Sequence, residues 1–325
     1  MMKRQLIAIA AFLLLGTLST QAQPPGMMNF QDIPVSIPSP LAVNLDFGEG
    51  TIGAIPEADV EVLKNVVYVN RDGKELHMNV FYPKAATAPL PCIVYIPGSA
   101  WMQQNLDMAT SNLIRLSARG YVIACVEYRP SSVAQFPAQA QDAKTAVRFM
   151  RKNAALYHVD TDNVFAWGDS SGGHTSLLTG LTHGNAELDT DVYGEFSDRV
   201  NAIIDYFGPS ELDAISKIPN MLNQNPESSP EALLIGGSIA ANPERARQAS
   251  PIYYINRESP PTLVAHGNRD FLVPLSQSDL VAEALEKAGV DYEYYCMIGA
   301  GHGGPQFWND EMLDVVEKFM RRHMK

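Results

Sequence analysis

Cysteine is scarce: Cys92, Cys125 and Cys296 are the only three in 325 residues, too few for the disulfide framework of a trypsin-type secreted protease. All three sit in apolar, strand-like runs, PCIVYIP, VIACVEY and YEYYCMI, where buried free thiols are the expected state. A Cys92–Cys125 bridge is the alternative in an oxidising compartment. Positive charge is short as well, with 24 Lys and Arg against 36 Asp and Glu and a formal net charge of −12. That balance argues against nucleic acid as a partner. Past the first residues, no uninterrupted apolar stretch approaches the ~20 residues of a membrane span.

What is present begins with a targeting signal. Lys3 and Arg4 precede the apolar run Leu6 to Leu15, and small residues follow to Ala22. Residues 1–22 read as a secretory signal peptide cut after Ala22, too short in its apolar core for a span. This predicts an exported, soluble protein, periplasmic or secreted. No cysteine lies at the cleavage site, which argues against a lipid-anchored form. Cleavage removes Lys3 and Arg4, leaving 22 basic against 36 acidic residues, a net of −14. With 46% hydrophobic and 18% charged residues, the remaining ~300 residues suffice for one large core.

Residues 23–56 are rich in Pro, Gly and Met with little periodicity, and are expected to form a loosely held, extended arm. From residue 57 the pattern changes to alternating strands and helices. Val66 to Asn70 and Leu76 to Tyr82 flank the turn Arg71-Asp72-Gly73-Lys74 as a hairpin. Continuous apolar runs at Cys92 to Pro97 and Tyr121 to Glu127 suit strands covered on both faces. Asp107 to Arg119 and Pro137 to Tyr157 carry helical spacing. Further strands are expected at Ala202 to Phe207, Pro261 to His266 and Tyr292 to Ile298, with helices at Ser276 to Ala288 and Pro305 to Met324. An antiparallel start followed by βα units implies a doubly wound, mostly parallel sheet. The stretch from about 209 to 250 breaks that rhythm and reads as a small cap insertion over the sheet's carboxyl end, where open α/β sheets bind ligands.

Between a strand-like VFAW run and a helical stretch stands Gly168-Asp169-Ser170-Ser171-Gly172. A G-x-S-x-G pentapeptide alone is a weak signal, but strand, sharp turn and helix are the context a nucleophile elbow requires. A serine hydroxyl needs a base, an acid to orient that base, and donors for the oxyanion. In the order Ser, acid, His, the candidates are Asp270, after the strand PPTLVAHG, and His302, in GAGHGG after the last strand. His266 is expected to be packed within its strand, and His174 to point away from the nucleophile; His77, His158, His183 and His323 have no link to the site. Asp205, Asp279 and Asp291 are weaker alternatives for the acid. Asp270 could instead serve as a turn or N-cap residue before Phe271. The backbone N–H of Ser171, with Ser99 and Ala100 from the loop Pro97-Gly98-Ser99-Ala100-Trp101, are the expected oxyanion donors, Gly98 supplying freedom for the turn. Trp101 either lines the site or packs. No metal or organic cofactor is called for, since Asp160-Thr161-Asp162 lacks the remaining ligands of a calcium loop.

From about Asn65 onward the chain resembles the carbohydrate-esterase branch of the α/β-hydrolases, close to hormone-sensitive-lipase-like esterases and to bacterial feruloyl and acetyl xylan esterases. The marks are PGSAW at 97–101, EYR at 127–129, FPAQAQD at 136–142, GDSSGG at 168–173, FGPSEL at 207–212, ASPIYYI at 249–255, PPTLVAHGNRD at 260–270 and GHG at 301–303. The resemblance implies the α/β-hydrolase fold for residues 57–325, a structural role for Asp142, and a serine esterase that removes acetyl or feruloyl groups from plant polysaccharide or oligosaccharide. The chain departs from the family's usual HGGGW or HGGAW loop, with Pro97 for the His and Ser99 for the middle Gly. A prolyl-oligopeptidase-type peptidase is the same-fold rival, though ~50 residues ahead of the first strand cannot build its propeller. The rival from another class is a non-catalytic binding protein of this fold, which loses triad members that this chain keeps. The oligomeric state is not legible.

Overall fold

The computed structural model describes residues 35–71, 73–218 and 225–325. The expected signal peptide, the first part of the arm, Asp72 of the expected turn and residues 219–224 of the expected cap insertion lie outside the described residues.

A short strand β1 (Val43–Leu45) precedes the hairpin β2 (Val60–Arg71) and β3 (Lys74–Pro83). Then follow β4 (Leu90–Ile96), α1 (Thr110–Ser117), β5 (Val122–Val126), α2 (Ala138–Lys152), the one-turn α3 (Ala154–Tyr157), β6 (Val159–Asp169), α4 (Ser171–Leu181) and β7 (Ile203–Tyr206). Three short helices, α5 (Leu212–Ser216), α6 (Pro230–Ile235) and α7 (Pro243–Gln248), lead to β8 (Thr262–Gly267), α8 (Ser276–Ala288), β9 (Tyr292–Met297) and α9 (Asp310–Arg322).

The strands form a sheet in the order β1-β9-β8-β7-β6-β4-β5-β3-β2. Pairing is parallel except where β3 meets β2 and β5, as the sequence pattern implies. Side chains alternate across each strand, so Cys92, Val94 and Ile96 of β4 join the core under α2, α4 and α8, whereas Ile93 and Tyr95 face α1 and α9. Burial on both faces is why β4 and β5 read as unbroken apolar runs. The same alternation places Cys92 in one core layer and Cys125 in the other, and all three cysteines are free and buried. The alternative of a Cys92–Cys125 bridge is therefore ruled out, because the sheet itself separates the two thiols.

The arm, from residue 35 onward, is tied down rather than loose. β1 extends the sheet by pairing with β9, and the Ser36 and Ser39 N–H groups donate to Asn268 O and Asp279 Oδ1, at 2.7 and 3.0 Å. An edge strand needs only a partner with open backbone groups, and three residues carry no periodicity by which it could be read. The described parts of the expected cap, residues 209–218 and 225–250, stand where a crossover helix between β7 and β8 would run. They are strapped to α8 by Gln277, whose Oε1 accepts the N–H groups of Ser210 and Glu211 at 2.8 Å each. The Phe136 N–H, just ahead of α2, donates to Leu234 O at 2.9 Å.

Asp142 on α2 is fully buried and ties three parts of the chain. Its carboxylate accepts Arg71 Nε at 3.2 Å and the Arg129 N–H and Nε at 2.9 and 2.8 Å. Removing one side of such an arrangement leaves buried charge uncompensated. Asp142→Asn is expected to lower the unfolding free energy by about 3 kcal/mol, measured by urea denaturation at neutral pH.

Candidate active site

β6 ends at Asp169, and the chain turns at Ser170 with φ 53 and ψ −124 before entering α4. A side-chain-bearing residue in that region is strained, and close contacts hold it there. A Cβ on Gly168 would sit 2.2 Å from Gly172 O, and one on Gly172 would sit 1.9 Å from Ile96 O. Both positions must be glycine, since any side chain would push the start of α4 off the ends of β6 and β4. The Ser170 N–H is anchored to Tyr206 O at 2.8 Å.

His302 Nε2 lies 2.8 Å from Ser170 Oγ, and its Nδ1 lies 2.7 Å from Asp270 Oδ2. The two loops carrying His302 and Asp270 are zipped together: Arg269 N–H donates to Ala300 O at 2.9 Å and Gly299 N–H to Asn268 Oδ1 at 2.8 Å. Phe207 packs edge-on against the His302 ring at a centroid distance of 4.7 Å. Asp270 Oδ1 accepts the Leu272 and Val273 N–H groups at 2.8 and 2.9 Å, so the turn role and the pairing with His302 fall to one carboxylate. Burial pushes this carboxyl up, but the His302 charge and hydrogen bonds from His266 and His302 outweigh it and hold it well below the usual carboxylate range. An ionised Asp270 keeps the proton on Nδ1 and leaves Nε2 to accept from the serine hydroxyl.

His266, expected as a packed residue, is packed and also touches the site. Its Nε2 lies 3.2 Å from Asp270 Oδ2 and 3.0 Å from Val273 O, and its Nδ1 lies 2.7 Å from Ser278 Oγ. The alternative acids lie elsewhere. Asp205 accepts Gly208 N–H at 3.0 Å, its carboxyl pushed up to about 8 by burial, while Asp279 binds Tyr294 OH and Asp291 lies beside His323.

The three expected oxyanion donors differ in their bonds. The Ser99 N–H already donates to Ser171 Oγ at 2.9 Å. Among the described residues, the N–H groups of Ala100 and Ser171 have no acceptor, and Ala100 takes left-handed backbone with φ 53. Of the three expected donors, Ala100 and Ser171 are thus the two with an unengaged N–H, while the Ser99 N–H is taken up by the Ser171 hydroxyl. Two groups not singled out from sequence secure this loop. Asp169 Oδ1 accepts Gly98 N–H at 3.1 Å and Tyr95 OH at 2.5 Å, and Tyr128 OH lies 2.9 Å from Ser99 Oγ and 3.2 Å from Pro97 O. In a loop that lacks the usual His, this tyrosine supplies the cross-link. EYR carried the signal, but a phenol's reach across two loops is not visible in a linear motif.

Trp101 does not line the site. It is 1% exposed, and its Nε1 donates to His174 Nδ1 at 3.2 Å. His174 in turn lies with Nε2 2.7 Å from Ala249 O, so α4 faces this pair toward the segment before β8 and away from Ser170. No group of His, Cys, Asp and Glu able to hold a metal ion occurs among the described residues, nor does a helix long and apolar enough to cross a membrane.

The family model BD-FAE matches residues 78–285. The chain belongs to the BD-FAE family. It is similar to Esterase LipC of Mycobacterium tuberculosis, 30% identical over 224 residues that cover 67% of this chain and 54% of LipC. The chain spans about half the length of the curated relatives it matches. Among solved structures it is similar to a truncated form of carbohydrate esterase from gut microbiota, 28% identical with a TM-score of 0.73, covering 81% of this chain and 96% of that one. It is also similar to a bifunctional GH43-CE protein of Bacteroides eggerthii, 32% identical with a TM-score of 0.74, covering 81% of this chain and 35% of that one. The architecture of this BD-FAE member is the α/β-hydrolase fold.

The Trp101–His174 pair behind the site makes stability depend on pH. Burial lowers the His174 imidazole to about 4, partly opposed by its bond to Ala249 O. An unfolded His takes up its proton near 6.5, so between pH 6.5 and 4 the unfolded chain binds more protons and stability falls as pH is lowered. The expected loss is about 3 kcal/mol across that window. Denaturant titrations of the protein and of His174→Gln at pH 4.0 to 7.0 check it: the variant's curve lacks this slope.

Proposed function

We propose that this protein is a serine carboxylester hydrolase acting on acyl groups, acetyl or feruloyl, carried by plant polysaccharide or its oligosaccharide fragments. The observation that carries the reading is the continuous hydrogen-bonded path from Ser170 Oγ through His302 to Asp270, 2.8 and then 2.7 Å, beside two unengaged backbone donors. His302 Nε2 takes the Ser170 proton as Oγ adds to the ester carbonyl, and Asp270 stabilises the imidazolium that results. The carbonyl oxygen becomes an oxyanion held by the Ala100 and Ser171 N–H groups. Collapse expels the sugar alkoxide, which takes the proton from His302, and leaves Ser170 acylated. Water then attacks the acyl-enzyme and gives its proton to His302; collapse releases the free acid, and His302 returns the proton to the departing Ser170 Oγ.

The sugar part of the reading is supported by the carbohydrate esterases among the similar structures. Residues 209–250 serve in it as a cap that shapes the acyl pocket, and residues 1–22 as the export signal that brings the enzyme to polymeric substrate outside the cell.

Initial rates on p-nitrophenyl acetate, methyl ferulate and acetylated xylan test the reading. The protein is expected to turn over the esters, and Ser170→Ala to reduce kcat by at least about 10⁴-fold with unchanged thermal unfolding. Asp270→Asn, which leaves the imidazole without its acceptor, is expected to lose about 10⁴-fold in kcat. A folded protein inactive on every ester overturns the esterase reading; full activity in Ser170→Ala overturns the role of Ser170.

A further inference from the structure

The carboxyl edge of the sheet holds a recess away from Ser170. A cleft of about 340 Å³ opens beside β5, β3 and β2, and of its ten lining residues only Leu106 is apolar. Its walls are built around a buried amide. β2 is irregular between Leu63 and Val66, and Asn65 there takes left-handed backbone with φ 55; bulges of this kind re-aim side chains. Asn79 Oδ1 accepts the Asn65 N–H at 3.0 Å, while Asn79 Nδ2 reaches Leu106 O at 3.4 Å and Asp107 Oδ1 at 3.3 Å. With Asn79 only 2% exposed, both ends of its amide are engaged in tying the bulge to the loop 103–107. On the opposite wall Gln103 Nε2 donates to Glu127 Oε1 at 2.7 Å, and His77 Nδ1 lies 3.2 Å from Glu127 Oε2.

These bonds order Asn79, Gln103, Glu127 and His77 ahead of any ligand and leave several polar atoms of the cleft unengaged. Among the described residues, the Asn65 side chain, Gln103 Oε1 and Asn105 Nδ2 have no partner. Planar amides carry a donor and an acceptor side by side and match the adjacent hydroxyls of a sugar ring. Lys64 is paired with Asp107 at 2.8 Å, and Glu127 offers further negative charge, so phosphate and uronate groups are disfavoured and neutral hydroxyls favoured. The cleft lies two to four strands from β6, roughly 10–19 Å at the spacing of neighbouring strands. It is linked to the loop beside Ser170 through Gln104 Nε2, 3.4 Å from Ser99 Oγ.

We propose that this cleft is a distal subsite for neutral, unesterified sugar residues of the chain whose acyl group lies at Ser170, a proposal that rests on the carbohydrate-ester reading above. Its role is to hold the polymer in register while a small acyl group reacts. Lacking an aromatic platform, it contributes through hydrogen bonds alone.

Kinetics on acetylated xylotetraose and on p-nitrophenyl acetate test this with Gln103→Ala and with Asn65→Gly, which keeps the left-handed backbone accessible. Each variant is expected to raise KM for acetylated xylotetraose about three- to tenfold with kcat unchanged, and to leave both constants for p-nitrophenyl acetate as they are. Calorimetric titration of Ser170→Ala with unacetylated xylotetraose is expected to show binding that weakens by the same factor when Gln103→Ala is added. Unchanged KM and unchanged xylotetraose binding in both variants overturn the subsite. A protein that cleaves p-nitrophenyl acetate but not acetylated xylotetraose overturns the carbohydrate reading instead, and the xylotetraose titration then decides the subsite alone.

Discussion

The approach of Gly172 to the last carbonyl of β4 governs the rest of the carboxyl edge. Because nothing larger than hydrogen fits between Gly172 and Ile96 O, the first turn of α4 sits directly on the end of the neighbouring strand. That contact forces Ser170 into its strained backbone and puts the Ser171 N–H beside the loop that leaves β4. It also brings the Tyr128 hydroxyl within bonding distance of the hydroxyls of both Ser99 and Ser171. The parallel order of β6, β7, β8 and β9 then delivers the loops bearing Asp270 and His302 to the same edge.

Around that contact, buried polar groups do most of the positioning. Asp169 is pushed up by burial yet accepts from Tyr95 and Gly98, so the residue before Ser170 also holds the loop opposite it. Asp270 is surrounded by two imidazoles and two backbone N–H groups, and the imidazoles outweigh its burial. Such groups are stable only when their bonds are complete, and their partners come from the ends of β4, β8 and β9. Local unfolding of any of these loops would therefore uncover charge, which couples the shape of the site to the integrity of the sheet.

Much of the fold was legible because burial leaves a periodic trace. Unbroken apolar runs marked β4 and β5, helical spacing marked α2 and α8, and the glycines of the elbow stood at the positions where the turn requires them. Ser170, Asp270 and His302 were readable because each follows a strand, and strand ends of a parallel sheet share an edge. The failures share a cause. The expected helix from Pro137 to Tyr157 breaks at Asn153, whose backbone leaves helical geometry without any proline or glycine to announce it. β1 escaped notice because an edge strand is recruited by its neighbour's open backbone. Trp101 reads equally well as a pocket lining or as core, and only the position of His174 decides between them.

The sequence by itself determined the order of the strands from β2 onward, the elbow and the identities of the three residues now within hydrogen-bonding distance, since these depend on local pattern and chain order. Tertiary structure alone decided which backbone N–H groups remain free beside Ser170, that Trp101 is buried, that Cys92 and Cys125 face opposite layers, and that Asn79 builds a polar cleft at the sheet's margin. Each of these turns on distances between residues tens of positions apart. Such distances are set by how layers pack, and a linear pattern of polar and apolar residues does not encode them directly.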